Sequence, residues 1–244
     1  MRRLAEFLAL VSAVMFRYLT RTVDRPAELP GPSESVEQRA IVRVARGVNR
    51  MFARVYHQMT VLSPPRLPRK GAAILVSNHI SALDPMLIQS VCSRLVIWMM
   101  AREYYELKSI GWVFRMVEAI PVERSGRDMA ATRSALRSLH SGRVVGIFPE
   151  GKIETDDNLL PFQTGVAMLA IKTGVPVFPV YLDGTQRGQE MVSGIIHANR
   201  VRIAFGPAVE FDRGSTSKQS LEAATEQIKA AVLTLRTSVW GDTI

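Results

Sequence analysis

The chain changes its hydrophobic rhythm near residue 62. Before that point, an apolar run from Leu8 to Phe16 is bracketed by Arg2 and Arg3 on one side and Arg17 on the other. The run is far shorter than the ~20 residues that span a bilayer, and it reads as a short helix lying in one leaflet. The stretch D-R-P-A-E-L-P-G-P-S-E-S (24–35) reads as a linker. Residues 36–60 carry the strongest helical period. At 100° per residue, Arg39, Arg43, Arg46, Arg50 and Arg54 share one narrow face, and Ile41, Ala45, Val48, Phe52, Val55 and Met59 share the opposite one. Such a helix can pack on a core with its arginines in solvent. It can also lie on a membrane with the arginines against acidic headgroups, and the two are compatible.

The prolines of L-S-P-P-R-L-P-R-K-G (62–71) end that regime. Past them, short apolar runs alternate with helical segments. Strands are expected over 72–77, 95–101, 143–149, 175–181 and 201–205, several of them buried on both faces. Helices are expected over 85–93, 107–117, 128–140 and 164–173. A closing helix over 217–237 has Leu221, Ala224, Ile228, Ala231 and Leu235 on one side. The two prolines of V-P-V-F-P-V (175–180) predict an edge or terminal strand. The alternation predicts an α/β fold, a largely parallel mixed sheet flanked by helices, with an N-terminal membrane-associated two-helix element. The expected division is residues 1–62 for the membrane-associating helices and 63–244 for the remaining domain.

Composition narrows the class. An apolar fraction of 47% in 244 residues excludes a disordered chain. A single cysteine, Cys92, excludes a disulfide framework or a Cys-rich zinc module, and its apolar neighbours make it a small core residue. Lys and Arg number 31 against 22 acidic residues, a net charge of +9. That surplus points to an anionic partner: nucleic acid, acidic lipid or a phosphorylated substrate. Residues 1–62 hold ten Arg against five Asp and Glu, so the first quarter carries much of it. The arginine helix has no interleaved aromatics and the chain has no nucleic-acid-binding motif, which argues against nucleic acid. His57, His79, His140 and His197 are scattered with no H-x-x-x-H pair, so no metal site is expected.

Three segments at strand ends carry candidate chemistry. S-N-H-I-S-A-L-D-P (77–85) puts His79 and Asp84 directly after a buried strand. A turn there can bring imidazole and carboxylate together, with His79 as general base and Asp84 fixing its tautomer. The same residues also fit a helix start, with Asp84 as N-cap, Pro85 at the first helical position, and Ser81 with Asp84 as a capping box. E-A-I-P-V-E-R (118–124) delivers Arg124 at the end of an apolar run, where its planar fork could hold a phosphate. F-P-E-G-K (148–152) offers the Glu150 carboxylate and the Gly151 backbone N–H, or is an ordinary turn.

Taken in order, these segments resemble the glycerophospholipid acyltransferase family, of the bacterial 1-acyl-glycerol-3-phosphate acyltransferase (PlsC) type. The family's N-H-x-S-x-x-D block, the HX4D motif, matches Asn78 to Asp84. Its second block ends at Arg124, its F-P-E-G-T block matches Phe148 to Gly151, and its V-P-x-x-P-V block matches Val175 to Val180. A-R-E-Y (101–104) is similar to a family segment that places Arg102 near the acceptor phosphate. The resemblance covers roughly residues 60–210. It implies transfer of a fatty acyl group from acyl-CoA or acyl carrier protein to the hydroxyl of 1-acyl-glycerol-3-phosphate, with no cofactor and no metal. His79 and Asp84 would be catalytic, and Arg102, Arg124, Glu150, Gly151 and Lys152 would bind substrate. The partners implied are the acyl donor, a lipid acceptor and an anionic membrane surface, at the cytoplasmic face as a monotopic or peripheral protein. The chain departs from the family after Gly151, with Lys152 and Ile153 in place of Thr and a basic or Ser residue, then acidic Glu154, Asp156 and Asp157. It also lacks a glycine before Ala119. Those departures motivate a second acceptor class, another lyso-phospholipid or a lyso-aminolipid. The reading from a different class is a non-catalytic basic membrane-binding protein.

Overall fold

A computed structural model describes residues 40–107, 111–123, 128–153, 159–187, 195 and 197–240. The expected helix at Leu8–Phe16, the linker and Arg39 lie outside the described residues. Helix α1 spans Ala40–Met51 and continues as a π-helical turn over Phe52–Tyr56. The regular helix is shorter than its sequence period, because Thr60 already opens strand β1 (Thr60–Ser63). The order then runs β2 (Ala73–Ser77), α2 (Asp84–Val91), β3 (Val96–Ala101), α3 (Arg102–Tyr105), α4 (Gly111–Met116) and β4 (Ile120–Val122). It continues with α5 (Met129–His140), β5 (Val144–Ile147), α6 (Gly165–Thr173), β6 (Val177–Asp183), β7 (Arg202–Phe205) and α7 (Lys218–Trp240).

The seven strands form one sheet in the order β1-β7-β6-β2-β5-β3-β4. Every pairing is parallel except β6 with β7. Period-two alternation sends side chains to two cores. On one face Ile74, Val76, Val145 and Ile147 meet α5, α6 and the Ile228, Val232 and Leu235 face of α7. On the other, Ala73, Leu75, Val96, Trp98 and Leu182 meet Leu83 just before α2, Leu87 and Ile88 within it, and Ala53 from the turn after α1. Covering both faces is what a mostly parallel sheet requires.

Strand β6 corrects one expectation. Its prolines predicted an edge or terminal strand, yet it lies between β7 and β2 and every residue in it is buried. The physical reason is register. Pro179 O accepts from Gly206 N, so the proline nitrogen, on the same side of the strand, faces the β7 flank. The antiparallel ladder reaches only to Val180 paired with Phe205. Antiparallel pairing resumes at the Val177–Val209 bridge, so the absent N–H falls in the irregular stretch between the two and costs that flank one bond at most.

Helix α1 is docked. It lies along α2 with its direction reversed: Asn49 Nδ2 donates to Met86 O, Arg50 Nε to Ser90 O, and Arg46 Nη2 to Cys92 O. Val42, Phe52 and Ala53 are buried, whereas Val44, Met51 and Val55 face outward at 47%, 38% and 63% exposure. Arg43 and Arg54 are exposed. Ala45 and Val55, expected on the buried side, are therefore exposed, and two arginines of the basic face serve the docking itself. Burial pushes the Cys92 thiol up to about 12, with the nearby Arg46 charge opposing. Among the described residues no helix is long and apolar enough to cross a membrane.

Candidate active site

Parallel strands point their carboxyl ends the same way, and the candidate residues collect along that edge. His79 follows β2, Phe148 to Lys152 follow β5, Arg102 follows β3, Glu123 follows β4, and a turn at Gly184–Thr185 follows β6.

The first two sequence-predicted residues are brought together. His79 Nδ1 lies 3.0 Å from Asp84 Oδ2. Asp84 is fully buried. A carboxylate only accepts, so Nδ1 carries the proton and Nε2 keeps its lone pair for an incoming hydroxyl. The same Oδ2 also accepts from Ile80 N at 2.7 Å and Ser81 N at 2.8 Å. Ser81 Oγ in turn accepts from Leu83 N at 3.3 Å. Only one half of the expected capping box forms, Ser81 N to Asp84 Oδ2, because Ser81 Oγ takes the Leu83 amide and the Asp84 amide goes to the Ser81 carbonyl. The expectation that Asp84 is the N-cap is corrected: Leu83 holds that position, Asp84 is the first helical residue, and its carboxylate turns back onto the 79–81 segment.

The imidazole is held on its face as well. Phe148 stacks on His79 with ring centroids 4.0 Å apart, and Trp98 stacks on the far side of Phe148 at 4.9 Å. Gly146 makes room for this ladder: a Cβ there would fall 2.5 Å from the Trp98 ring. Asn78 fixes the preceding backbone, donating to Leu182 O and accepting from Leu182 N, both at 2.9 Å. The segment is thereby tied to β6.

Glu150 is buried at 5% exposure, and its carboxylate faces the protein. Oε1 accepts from His79 N at 2.8 Å and Oε2 from Leu160 N at 3.1 Å. The Gly151 N–H, expected to be available, donates to Phe148 O at 3.1 Å. Gly151 adopts φ +71, and Lys152 beside it is exposed. The F-P-E-G segment therefore holds the His79 backbone and ring.

Arg102 pairs with Glu123, and more loosely with Glu106 at 3.8 Å. Arg124, Glu154, Asp156 and Asp157 lie outside the described residues. The residue before Arg124 is fixed, since Glu123 N donates to Asp128 Oδ2 at 2.9 Å. Asp128 also caps α5 through Ala130 N and Ala131 N. These amides, Ala131 first and Glu123 next, hold its carboxyl below the usual range.

The glycine missing before Ala119 has a structural counterpart. Glu118 takes φ +58 after α4, with Ala119 N donating to Phe114 O and Glu118 N to Arg115 O. This is a Schellman turn, whose left-handed position favours glycine and costs another residue about 1 kcal/mol. An ion pair from Arg143 at 3.1 Å holds the Glu118 side chain there.

Sequence reasoning missed Thr185. It is buried at 7% exposure, and its hydroxyl lies 3.4 Å from Asp84 Oδ1. The available signal was the Gly-Thr pair directly after a buried strand. The roles of Phe148 and Trp98 in stacking on His79 were also unassigned, because ring stacking across three strands leaves no spacing in the chain.

Comparison with known proteins bears on the family and the fold. A family model described as Acyltransferase matches residues 58–183, just over half of the chain. A 1-acyl-sn-glycerol-3-phosphate acyltransferase of Borreliella burgdorferi is 28% identical over 130 residues, 52% of either chain. The match thus spans about half of that relative's length. One of Bacillus subtilis is 23% identical over 175 residues, 70% of this chain and 85% of the relative. The crystal structure of a 1-acyl-sn-glycerophosphate acyltransferase, PlsC, from Thermotoga maritima superposes with a TM-score of 0.63 at 21% identity, covering 97% of this chain and 98% of that one. At that identity the likeness shows a shared fold.

Proposed function

The chain belongs to the acyltransferase family, and from that premise we propose that it transfers a fatty acyl group from a thioester donor, acyl-CoA or acyl carrier protein, to the free hydroxyl of 1-acyl-glycerol-3-phosphate, giving phosphatidic acid. The observation that carries the proposal is the His79–Asp84 contact, with Asp84 fully buried and able only to accept. His79 Nε2 takes the proton of the acceptor hydroxyl as that oxygen attacks the thioester carbonyl. The C–O bond forms, the tetrahedral intermediate collapses, and the C–S bond breaks. The thiolate leaves and takes up the proton from the imidazolium. A thiolate is a good leaving group, so one base and close positioning carry the step. No metal or cofactor takes part in this scheme.

Arg124 and Lys152 hold the acceptor phosphate in this reading, with Arg102 joining once Glu123 yields it. Glu150 and Gly151 act through the His79 backbone rather than on the glycerol. A second acceptor class, another lyso-phospholipid or a lyso-aminolipid, is favoured by two observations: Arg102 is already neutralised by Glu123, and Lys152 replaces the family's hydroxyl. The acceptor is a membrane lipid, so we place the protein on the cytoplasmic membrane surface as a monotopic or peripheral protein. The outward Val44 and Met51 of α1 and Val55 of the π-helical turn would enter the headgroup region and Arg54 would meet acidic lipids.

Thioester consumption by the purified protein, measured with each acceptor in turn and with or without chelator, tests the reading. Fastest turnover with 1-acyl-glycerol-3-phosphate, unchanged by chelator, is expected. Faster turnover with a phosphate-diester or amino lysolipid moves the assignment to the second class. No turnover with any acceptor leaves a non-catalytic membrane-binding protein.

A further inference from the structure

The Asp84 carboxylate sits in an unequal environment. Oδ2 accepts three N–H groups, from His79, Ile80 and Ser81. Oδ1, equally buried, has a single partner among the described residues, the Thr185 hydroxyl at 3.4 Å. A buried carboxylate oxygen without a donor costs free energy, and a carboxylate that can rotate would exchange its two oxygens on the imidazole. The contact is long for an O–H···O bond, as active-site bonds often are before substrate closes the site.

The turn that delivers Thr185 is specifically built. Gly184 takes φ +85, and a Cβ there would fall onto the Arg200 carbonyl oxygen, so only glycine makes this turn. Asp183 before it is held by Arg202 at 3.6 Å and by Arg187 at 3.7 Å, which ties the turn down on both sides of Thr185. The strand end is further locked by the Asn78–Leu182 pair, so β6 and the His79 segment cannot drift apart.

Building on the acyl-transfer reading above, we propose that Thr185 is a positioning residue of the reaction: its hydroxyl fixes Oδ1 of Asp84, so that Oδ2 stays on His79 Nδ1 and the imidazole keeps Nε2 aimed at the acceptor. Thr185 does not touch substrate. It acts through Asp84, and its removal lowers turnover rather than substrate binding.

Thr185→Val keeps the side-chain volume and removes the hydroxyl. The expected result is a kcat lower by about tenfold, with both substrate KM values within about twofold. Thr185→Ser restores most of the rate, because the hydroxyl is the working group. The Nδ1–H proton of His79, sheltered by Asp84, gives a downfield proton resonance; Thr185→Val shifts or broadens it and Thr185→Ser retains it. Should Thr185→Val not fold, Thr185→Ala carries the same comparison. A folded variant with wild-type kcat and an unchanged resonance overturns the proposal, and so does an equal loss in Thr185→Ser. If the wild-type protein transfers no acyl group to any acceptor, the activity reading fails, while the resonance still decides whether Thr185 positions the His79–Asp84 pair.

Discussion

At the scale of single residues, the site is built mostly from groups that hold other groups. Both oxygens of Glu150 accept main-chain N–H bonds, one of them from His79 itself. Glu150→Gln would set an amide N–H₂ against one of those donors. The expected result is a loss of about 1–3 kcal/mol in unfolding free energy, the usual cost of an unsatisfied buried polar group, together with a fall in kcat. The acceptor KM should change little. Urea unfolding and steady-state kinetics on one preparation check both. A large rise in acceptor KM with unchanged stability would instead place Glu150 against the substrate. The ladder Trp98–Phe148–His79 belongs to the same scale: it fixes the plane of the imidazole while Asp84 fixes its edge. Offset aromatic contacts of this kind contribute about 0.5–1.5 kcal/mol beyond area burial.

At the scale of elements, α1 has three separate jobs on three sides. Val42, Phe52 and Ala53 pack inward, Arg46 and Arg50 reach carbonyls at the end of α2, and Val44, Met51 and Val55 face out. His57, just past the π-helical turn, is buried between Phe52 and Tyr56, and burial pushes its pKa down to about 4. That neutral ring seals the joint between helix and sheet. For the membrane proposal, the informative substitutions are those that leave docking intact. Arg54→Gln should weaken partitioning to acidic vesicles roughly fivefold at low salt, from about 1 kcal/mol per arginine. Neutral vesicles should show little change. Replacing Val44, Met51 and Val55 with Ser should weaken both. Flotation measures this, and unaltered binding in both variants would make α1 a core-packing helix and nothing more.

At the scale of the whole molecule, the layered α/β architecture was legible in the chain because buried strands and amphipathic helices differ in period. Five strands and the principal helices fall where apolar runs and helical periods put them. Strands β1 and β4 escaped, being four and three residues long, too short for alternation to register. The mislocated β6 shows a different limit: a central strand tolerates a proline whose nitrogen faces an irregular stretch of one neighbour's pairing, and that register is a tertiary property. The site was legible as a set of blocks, since His79 with Asp84 is a local pair and the other blocks end strands. What holds the pair was not, because Thr185 and Glu150 lie 101 and 71 positions away from their partners. The central claim is that His79 serves as general base for acyl transfer at the carboxyl edge of this sheet. The most direct measurement is the rate of acyl transfer to the best acceptor by His79→Ala, in a preparation shown to be folded by its thermal unfolding. Loss of a general base typically costs 10²–10⁴-fold, so the predicted residual rate is about a hundredth of wild type or less. A folded His79→Ala protein retaining more than about a tenth of the wild-type rate would contradict the account.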